Sequence, residues 1–499
     1  MNIRRHVSGC TVALLAAAAA DAQQPITLQH VLDVALTASS QTRVGRLRVE
    51  AARGQVLAAA APFDLQLQSD VRRGRDNQQM QATQFAPQEL ATYSVSAARR
   101  FHNGVTVSPT VDVSRSQLAT PGALATGNAA ARVDIVIPML YDRGGAVTAT
   151  AQRVAELQLG AAHGAWRSII AKTVYELTVA YWDYVAAGAR LEAQRDAEAR
   201  AQRLLDESIQ LVEKQERAPA DLQQLRATLA SKQGGRIVAE QTVVEARAQL
   251  GLAMGLEPAA VIGLPTPATG FPTPSADTTP VALAVARLLD TAIARRPDRA
   301  QQQATLAAWT LELREFRDAS LPRFDLVLSV GYQGVTQGPG FNHLVSPLYR
   351  NVPGMNAAVS FHFGGLVNSA ARGLLMQEGA GVDENRLALR DVERRLSTEV
   401  HVAALGVDRA RAALVQSERA VALYRITVDN EQRKLRLGMN TLFDVLNAED
   451  ALTNALIAVI NNRRAYAVAL ASLRLATGTI VDVIADVPHA DSERLRTTP

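Results

Sequence analysis

The residues able to do chemistry are few and scattered. The chain has eight histidines and none is followed by glutamate, which removes the zinc-peptidase helix motif. Its four lysines, Lys172, Lys214, Lys232 and Lys434, never follow glycine, so no phosphate-binding loop exists. His163 and His401 sit in helical sequence without partners at ligand spacing. No catalytic group, metal set or cofactor is expected, and an enzyme is the least favoured class. Two acids remain of interest: Asp221 and Asp444 occupy equivalent places just after a break in a long helical pattern. Aspartate there suits the cap of the helix that follows.

The elements that would carry these acids repeat. At a shift of 223 residues, Glu176, Val179, Ala180, Leu191, Ala197, Asp221, Leu229 and Ile237 match Glu399, Val402, Ala403, Leu414, Ala420, Asp444, Leu452 and Ile460. Six of the ten positions from 246 to 255 are identical to 469–478, ending on Gly255 and Gly478. In the second copy Leu396, Val400, Ala403, Val407, Ala410, Leu414, Val421, Tyr424, Val428 and Leu435 follow the 4-3 spacing of a coiled coil. The first copy shows it at Ile170, Val174, Leu177, Tyr181, Tyr184 and Leu191.

Each repeat is expected to contain an opening helix (about 27–60 and 283–319), strands (about 63–138 and 323–363), and a long helix (about 145–215 and 367–437). A closing helix follows, about 219–255 and 441–477, so the repeats span 23–256 and 282–479. A long helix would reach about 105 Å. One opening plus one closing helix matches it in length, which suggests two short helices stacked beside each long one. The breaks fall at Arg217-Ala218-Pro219 and Gly438-Met439-Asn440-Thr441, and glycines 255 and 478 suit C-caps. The proline-dense stretch 257–281 reads as an extended connector without helix, and 480–499 as a mobile tail.

Composition sets the compartment. A hydrophobic fraction of 48% excludes wholesale disorder, and 52 basic against 48 acidic residues without a like-charged block argues against nucleic acid. Residues 1–22 read as a signal peptide: Arg4 and Arg5, the apolar run Thr11 to Ala20, then Ala20-Asp21-Ala22. Val7-Ser8-Gly9-Cys10 resembles a lipoprotein box, but the apolar run follows Cys10 whereas lipidation needs it before. Removing the signal removes the only cysteine, so disulfides do not brace the exported chain. No run approaches the roughly 20 apolar residues of a membrane helix. The protein is therefore soluble or crosses a membrane as strands.

The strands favour the second. Phe324, Leu326, Leu328, Val330 and Tyr332 alternate with Asp325, Val327, Ser329 and Gly331. Val105, Val107, Pro109, Val111 and Val113 alternate with Thr106, Ser108, Thr110, Asp112 and Ser114. Similar patterns occupy Phe63 to Val71, Tyr93 to Ala97, Val133 to Ile137 and Val359 to Phe363. Polar stretches at 72–91, 115–131 and 334–354 read as long loops, against a tight turn at His102-Asn103-Gly104. A bilayer does not tolerate open sheet edges, and four to six strands are too few to surround a pore. A barrel shared among copies follows.

The mature sequence resembles the TolC-like outer membrane efflux proteins, or outer membrane factors. The resemblance rests on Gly438-Met439-Asn440-Thr441-Leu442-Phe443-Asp444-Val445-Leu446-Asn447-Ala448, the closing Ala469 to Gly478, Arg296-Pro297-Asp298, and Leu321-Pro322-Arg323-Phe324-Asp325. It implies a mainly α homotrimer with membrane β: helical hairpins form a periplasmic α-barrel, and four strands per chain form a shared outer-membrane β-barrel. The Tyr93 to Ser114 hairpin is in excess of that count.

The resemblance also implies an outer-membrane exit duct, joined through a periplasmic adaptor (membrane fusion) protein to an inner-membrane pump of RND, ABC or MFS type. Asp444 matches the acidic aperture residue, with Asn447 where some members carry a second acid. Three copies of Asp444 would form a cation-favouring ring. The tip residues Arg217, Asp221, Gly438 and Thr441 would meet the adaptor. Some relatives latch their hairpins through a tyrosine at the place of Leu435, so that latch does not transfer. The alternatives are a periplasmic coiled-coil adaptor or a structural protein of the cell envelope. An adaptor would have one hairpin, not two strand-preceded copies.

Overall fold

The computed structural model describes residues 25–499 except 82–83, 119–121, 123, 215–218, 275–278, 339–340, 350–353, 365–368 and 485–486. The expected signal peptide, Cys10 and Arg217 lie outside the described residues. The elements, in order, are α1 (Leu28–Ala38), α2 (Ser40–Ala60), β1 (Gln66–Gln81), β2 (Gln84–Arg100), β3 (Thr106–Leu118), β4 (Thr126–Pro138), α3 (Thr150–Glu213), α4 (Ala220–Met254) and α5 (Pro258–Ile262). There follow α6 (Val285–Arg295), α7 (Pro297–Ala319), β5 (Arg323–Gln337), α8 (Phe341–Val345), β6 (Gly354–Gly364), α9 (Ser369–Arg436), α10 (Leu442–Ala476), β7 (Asp482–Ile484) and β8 (Val487–His489). No described helix is long and apolar enough to cross a membrane.

The chain divides into two compact units. The first comprises Met1–Arg48, His163–Ala300 and Arg390–Pro499, and the second Val49–Ala162 and Gln301–Leu389. In the first, the 4-3 positions make the core. Leu396, Val400, Ala403, Val407, Leu414, Val421 and Val428 of α9 are buried with Leu452, Val459, Leu470 and Leu473 of α10 and Leu288 and Ala292 of α6. Ile170, Val174, Leu177, Tyr181, Tyr184 and Leu191 of α3 are buried too. Tyr424 departs from its expected place in the seam and is 40% exposed.

Neither opening helix is continuous. Ser39 (ψ 124°) separates α1 from α2, and Arg296 (ψ 119°) separates α6 from α7. At Arg296 the cause is local, because a residue preceding proline is pushed from helical to extended backbone. Each closing glycine abuts such a break. Gly255 (φ +74°) lies against Ala38 and Ser39, and Gly478 (φ +69°) against Arg295 and Arg296.

The connector also differs from expectation. Pro258–Ile262 is a short helix, since proline is tolerated in a first turn. Beyond it Ile26 is bridged to Pro267, and the Tyr181 hydroxyl donates to the Ile26 carbonyl (3.2 Å) while accepting from the Thr269 N–H (2.9 Å). The tail is not loose. β7 and β8 pair, Leu495 and Ala490 are buried, and Arg474 donates to the carbonyls of Thr497 (3.0 Å) and Thr498 (3.2 Å).

The second unit is built on one antiparallel sheet with strands in the order β1-β2-β3-β4-β5-β6. The Tyr93 to Ser114 hairpin lies inside this sheet, so the sheet has six strands where the resemblance implied four. Phe63 belongs to a helical turn, Ala61–Phe63, ahead of β1. The stretch 72–91 is mostly strand and not loop, because β1 and β2 continue pairing to Gln79 and Phe85. Likewise β3 and β4 extend into 115–131, and 334–354 holds α8.

Candidate functional site

Two regions are candidates for function: the tip where α9 turns into α10, and the sheet. The helix α9 ends in a left-handed glycine, Gly438 (φ +69°), and the Met439 N–H returns to the Lys434 carbonyl (2.9 Å). The Asn440 side chain donates to the Glu431 carbonyl (3.0 Å) and carboxylate (2.7 Å), and Lys434 pairs with Glu431 (2.6 Å). Hydrogen bonds from Lys434 and Asn440 hold the Glu431 carboxyl below its ordinary pKa.

Thr441 is the N-cap of α10 and Asp444 the third residue within it. The N–H of Thr441 (2.9 Å) donates to an Asp444 oxygen, as in a capping box, and the Thr441 hydroxyl (2.6 Å) donates to the same oxygen. These bonds lower the Asp444 pKa, keeping the exposed side chain ionised. Asp444 is therefore a cap within the single chain. Asn447 is exposed one turn later. Asp221 lies in the first turn of α4, whose N-cap Pro219 makes no side-chain cap bond. The capping expected of Asp221 reduces to a carboxylate near a helix N-terminus, a favourable placement by charge alone.

The two tips meet through leucines. Leu205, Leu225, Leu442 and Leu446 are buried together, with Leu222, Leu229 and Leu435 packed on them. Leu435 is thus a core contact at the place of the relatives' latch tyrosine. Farther along, Glu449 accepts from Arg200 (2.7 Å) and Gln432 (3.0 Å), tying α3, α9 and α10 together. Sequence reasoning missed Glu449, since pairs so distant along the chain leave no local pattern. Leu437 and Met439 on the turn are 73% and 72% exposed, and Phe443 at the start of α10 is 59% exposed.

The sheet has two chemically distinct faces. Along β5 and β6, Phe324 lies opposite Phe363, Leu326 opposite Phe361, Leu328 opposite Val359, Val330 opposite Ala357 and Tyr332 opposite Met355. The same face continues through Ile137, Ile135 and Val133 of β4, then Val107, Pro109 and Val111 of β3. It ends at Ala97, Val95 and Tyr93 of β2 and Leu67, Ser69 and Val71 of β1. The opposite face carries Asp325, Ser329, His362, Ser360, Asp134, Arg132, Ser108, Thr110, Asp112, Ser94, Ser96, Gln68 and Asp70. Nine residues from Phe324 to Tyr332, at about 3.3 Å each and tilted by about 40°, give an apolar band about 23 Å tall, close to the roughly 25 Å of outer-membrane barrels. Aromatic rings gather at one end: Phe324 stacks on Phe361 (5.6 Å), and Arg323 lies over Tyr141 (5.1 Å). No group of three or more metal-ligating side chains occurs among the described residues.

This geometry, a two-faced antiparallel sheet continued by long helices, is the fold of solved outer-membrane channels. Residues 288–479 match the family model described as outer membrane efflux protein. No curated protein matches the chain in sequence. Solved structures with the same fold include the CmeC outer membrane channel of Campylobacter jejuni, 14% identical, with 91% of this chain and 85% of that one covered at a TM-score of 0.66. VceC of Vibrio cholerae is 16% identical, with 90% and 96% covered and a TM-score of 0.66. A membrane protein from Pseudomonas aeruginosa is 18% identical, with 90% and 92% covered and a TM-score of 0.66. The second half of the chain is therefore similar in sequence to the outer membrane efflux proteins, and the chain has the fold of these outer-membrane channels.

Proposed function

We propose that the chain is the outer-membrane exit duct of a tripartite efflux or type I secretion system, acting as a passive homotrimer. The observation that carries this is the sheet. It is apolar on one face and polar on the other, and β1 and β6 each have a hydrogen-bonded neighbour on one side only among the described residues. Such a sheet buries its backbone groups in lipid only by closing with others. The apolar face would meet outer-membrane lipid and the polar face a water-filled lumen.

The gate would lie at the tips. Three Asp444 carboxylates, ionised because Thr441 bonds them, would form a ring that binds cations and restricts resting flow. The exposed apolar turn Leu437, Met439 and Phe443 is suited to cover by a periplasmic adaptor, which would link the duct to an inner-membrane pump of RND, ABC or MFS type. Asn447, Gly438, Thr441 and Asp221 belong to the same end, as does Arg217 by sequence.

The test is electrical. The purified protein in a planar bilayer should conduct. Asp444→Ala should raise resting conductance and weaken block by divalent cations, while Asp444→Asn, which keeps a hydrogen-bond acceptor for Thr441, should weaken block with the cap retained. Unchanged current and block in both would remove Asp444 from the gate. Recovery of the protein as a monomer in a periplasmic wash would end the duct reading.

A further inference from the structure

The sheet has two more strands than the resemblance implied, and they bear on the size of the pore. We propose that three chains close edge to edge, β6 of one copy on β1 of the next, into one barrel of eighteen strands, six from each copy. This deepens the trimeric duct reading and rests on it. The partner at each edge is a second copy of this chain.

Three observations carry the inference. First, the hairpin β2–β3 is integral to the sheet and not appended to it. Its alternation is in phase with β4 to β6, so Val95 and Val111 share the apolar face with Val133 and Val330. Val95, Val111, Val133 and Val330 are all exposed in the single chain, as a lipid-facing row requires.

Second, the base of the hairpin is locked into the start of α3. A Cβ on Gly145 would lie 1.7 Å from the His102 carbonyl oxygen, so only glycine allows the turns to meet. Asp142, buried and in left-handed backbone (φ +60°), accepts from the N–H groups of Val147 (2.8 Å) and Thr148 (2.7 Å) and faces Arg100 (3.9 Å). His102 in turn stacks on the buried Phe63 (3.9 Å between ring centres). A hairpin anchored this way to β1 and α3 is held in the wall.

Third, the strand sense agrees. Six is an even number, so β6 of one copy runs antiparallel to β1 of the next and the ladder closes in one sense. At fixed tilt, barrel diameter grows about linearly with strand number, making eighteen strands about 1.5 times as wide as twelve.

Cysteine cross-linking across the seam tests this. Val359→Cys in β6 is combined in turn with Leu67→Cys, Ser69→Cys, Val71→Cys and Arg73→Cys in β1, all on the apolar face, and oxidised in outer membranes, with each single variant as control. The expected result is an inter-chain disulfide at one or two of the four positions, giving covalent dimers and trimers on a denaturing gel. If β1 and β2 lay outside the barrel, β6 would instead meet β3, and Val359→Cys would cross-link to Val107→Cys or Val111→Cys. That result would overturn the inference and leave the trimer standing. A trimer by mass with no cross-link to any β1 position would overturn it as well. A monomer by mass, cross-linking to neither strand, would remove the trimeric reading itself.

Discussion

Gly478 stands against the carbonyl of Arg295: a Cβ at 478 would lie 3.1 Å from that oxygen and 3.0 Å from its carbon, and the backbone is left-handed at φ +69°. The glycine just past the second closing helix is thus fitted to the break in its opening helix, as Gly255 is to Ala38 and Ser39. Gly478→Ala meets both a backbone penalty and a contact with atoms that cannot swing away. We expect a loss of about 1–2 kcal/mol for the backbone alone, read as a lower midpoint in thermal unfolding of the detergent-solubilised protein. Gly234→Ala, in the middle of α4 with open space at its Cβ, should instead gain about 0.5–1 kcal/mol. Equal shifts of the same sign would contradict the account.

At the tip, Thr441→Ala deletes the hydroxyl bonded to Asp444 and should cost about 0.5–2 kcal/mol of local stability. Faster amide exchange over the first turn of α10 is the readout. The folded pKa of Asp444 is lowered, so its contribution is complete above the ordinary carboxylate value and fades as pH falls through the lowered one. Protection factors at this turn, corrected for the intrinsic pH dependence of exchange, should therefore fall on acidification in the parent chain and change less in Asp444→Asn.

Glu449 joins three helices through Arg200 and Gln432, with Arg200 20% and Glu449 13% exposed. Glu449→Ala leaves a half-buried guanidinium without its carboxylate and should cost about 1.5–3 kcal/mol. Glu449→Gln, which keeps an acceptor, should cost less. Denaturant melts of the two variants would separate charge from packing, and equal losses would argue that only volume matters.

Glu312 and Glu315 give the opposite pH response. Burial raises both pKa values, with Glu378 adding repulsion to each and Asp142 to Glu315. Glu378 is itself 9% exposed with one oxygen lacking a hydrogen bond. Carboxyls whose folded pKa is raised favour the fold when protonated, so stability is full below the ordinary value and falls as pH rises through the raised one. Glu312→Gln and Glu315→Gln should accordingly raise the thermal midpoint at neutral pH, with the gain disappearing below the ordinary carboxylate range. A gain that persisted in acid would point to packing.

The sequence by itself determined what is periodic or short-range. The 4-3 spacing marked Leu396, Val400 and Val407 as core, because a helix places residues three and four apart on one face whatever surrounds it. Alternation marked Phe324 to Tyr332 and Val107 to Val113 as two-faced strands for the same kind of reason. The glycines at 255, 438 and 478 announced helix ends because left-handed backbone there favours glycine locally.

Only the tertiary structure decided where those faces go. It broke the opening helices at Ser39 and Arg296, exposed Tyr424, ordered the tail on Arg474, and gave one Asp444 oxygen to Thr441. It also set the hairpin of Tyr93 and Ser114 inside the sheet, a matter of partner and register that alternation cannot specify, since a strand looks the same whichever neighbour it pairs with. Contacts such as Glu449 with Arg200, or Gly145 with the His102 carbonyl, join residues far apart in the chain. Their physical cause is the close approach of two backbones or two charges in space, which has no signature along the sequence.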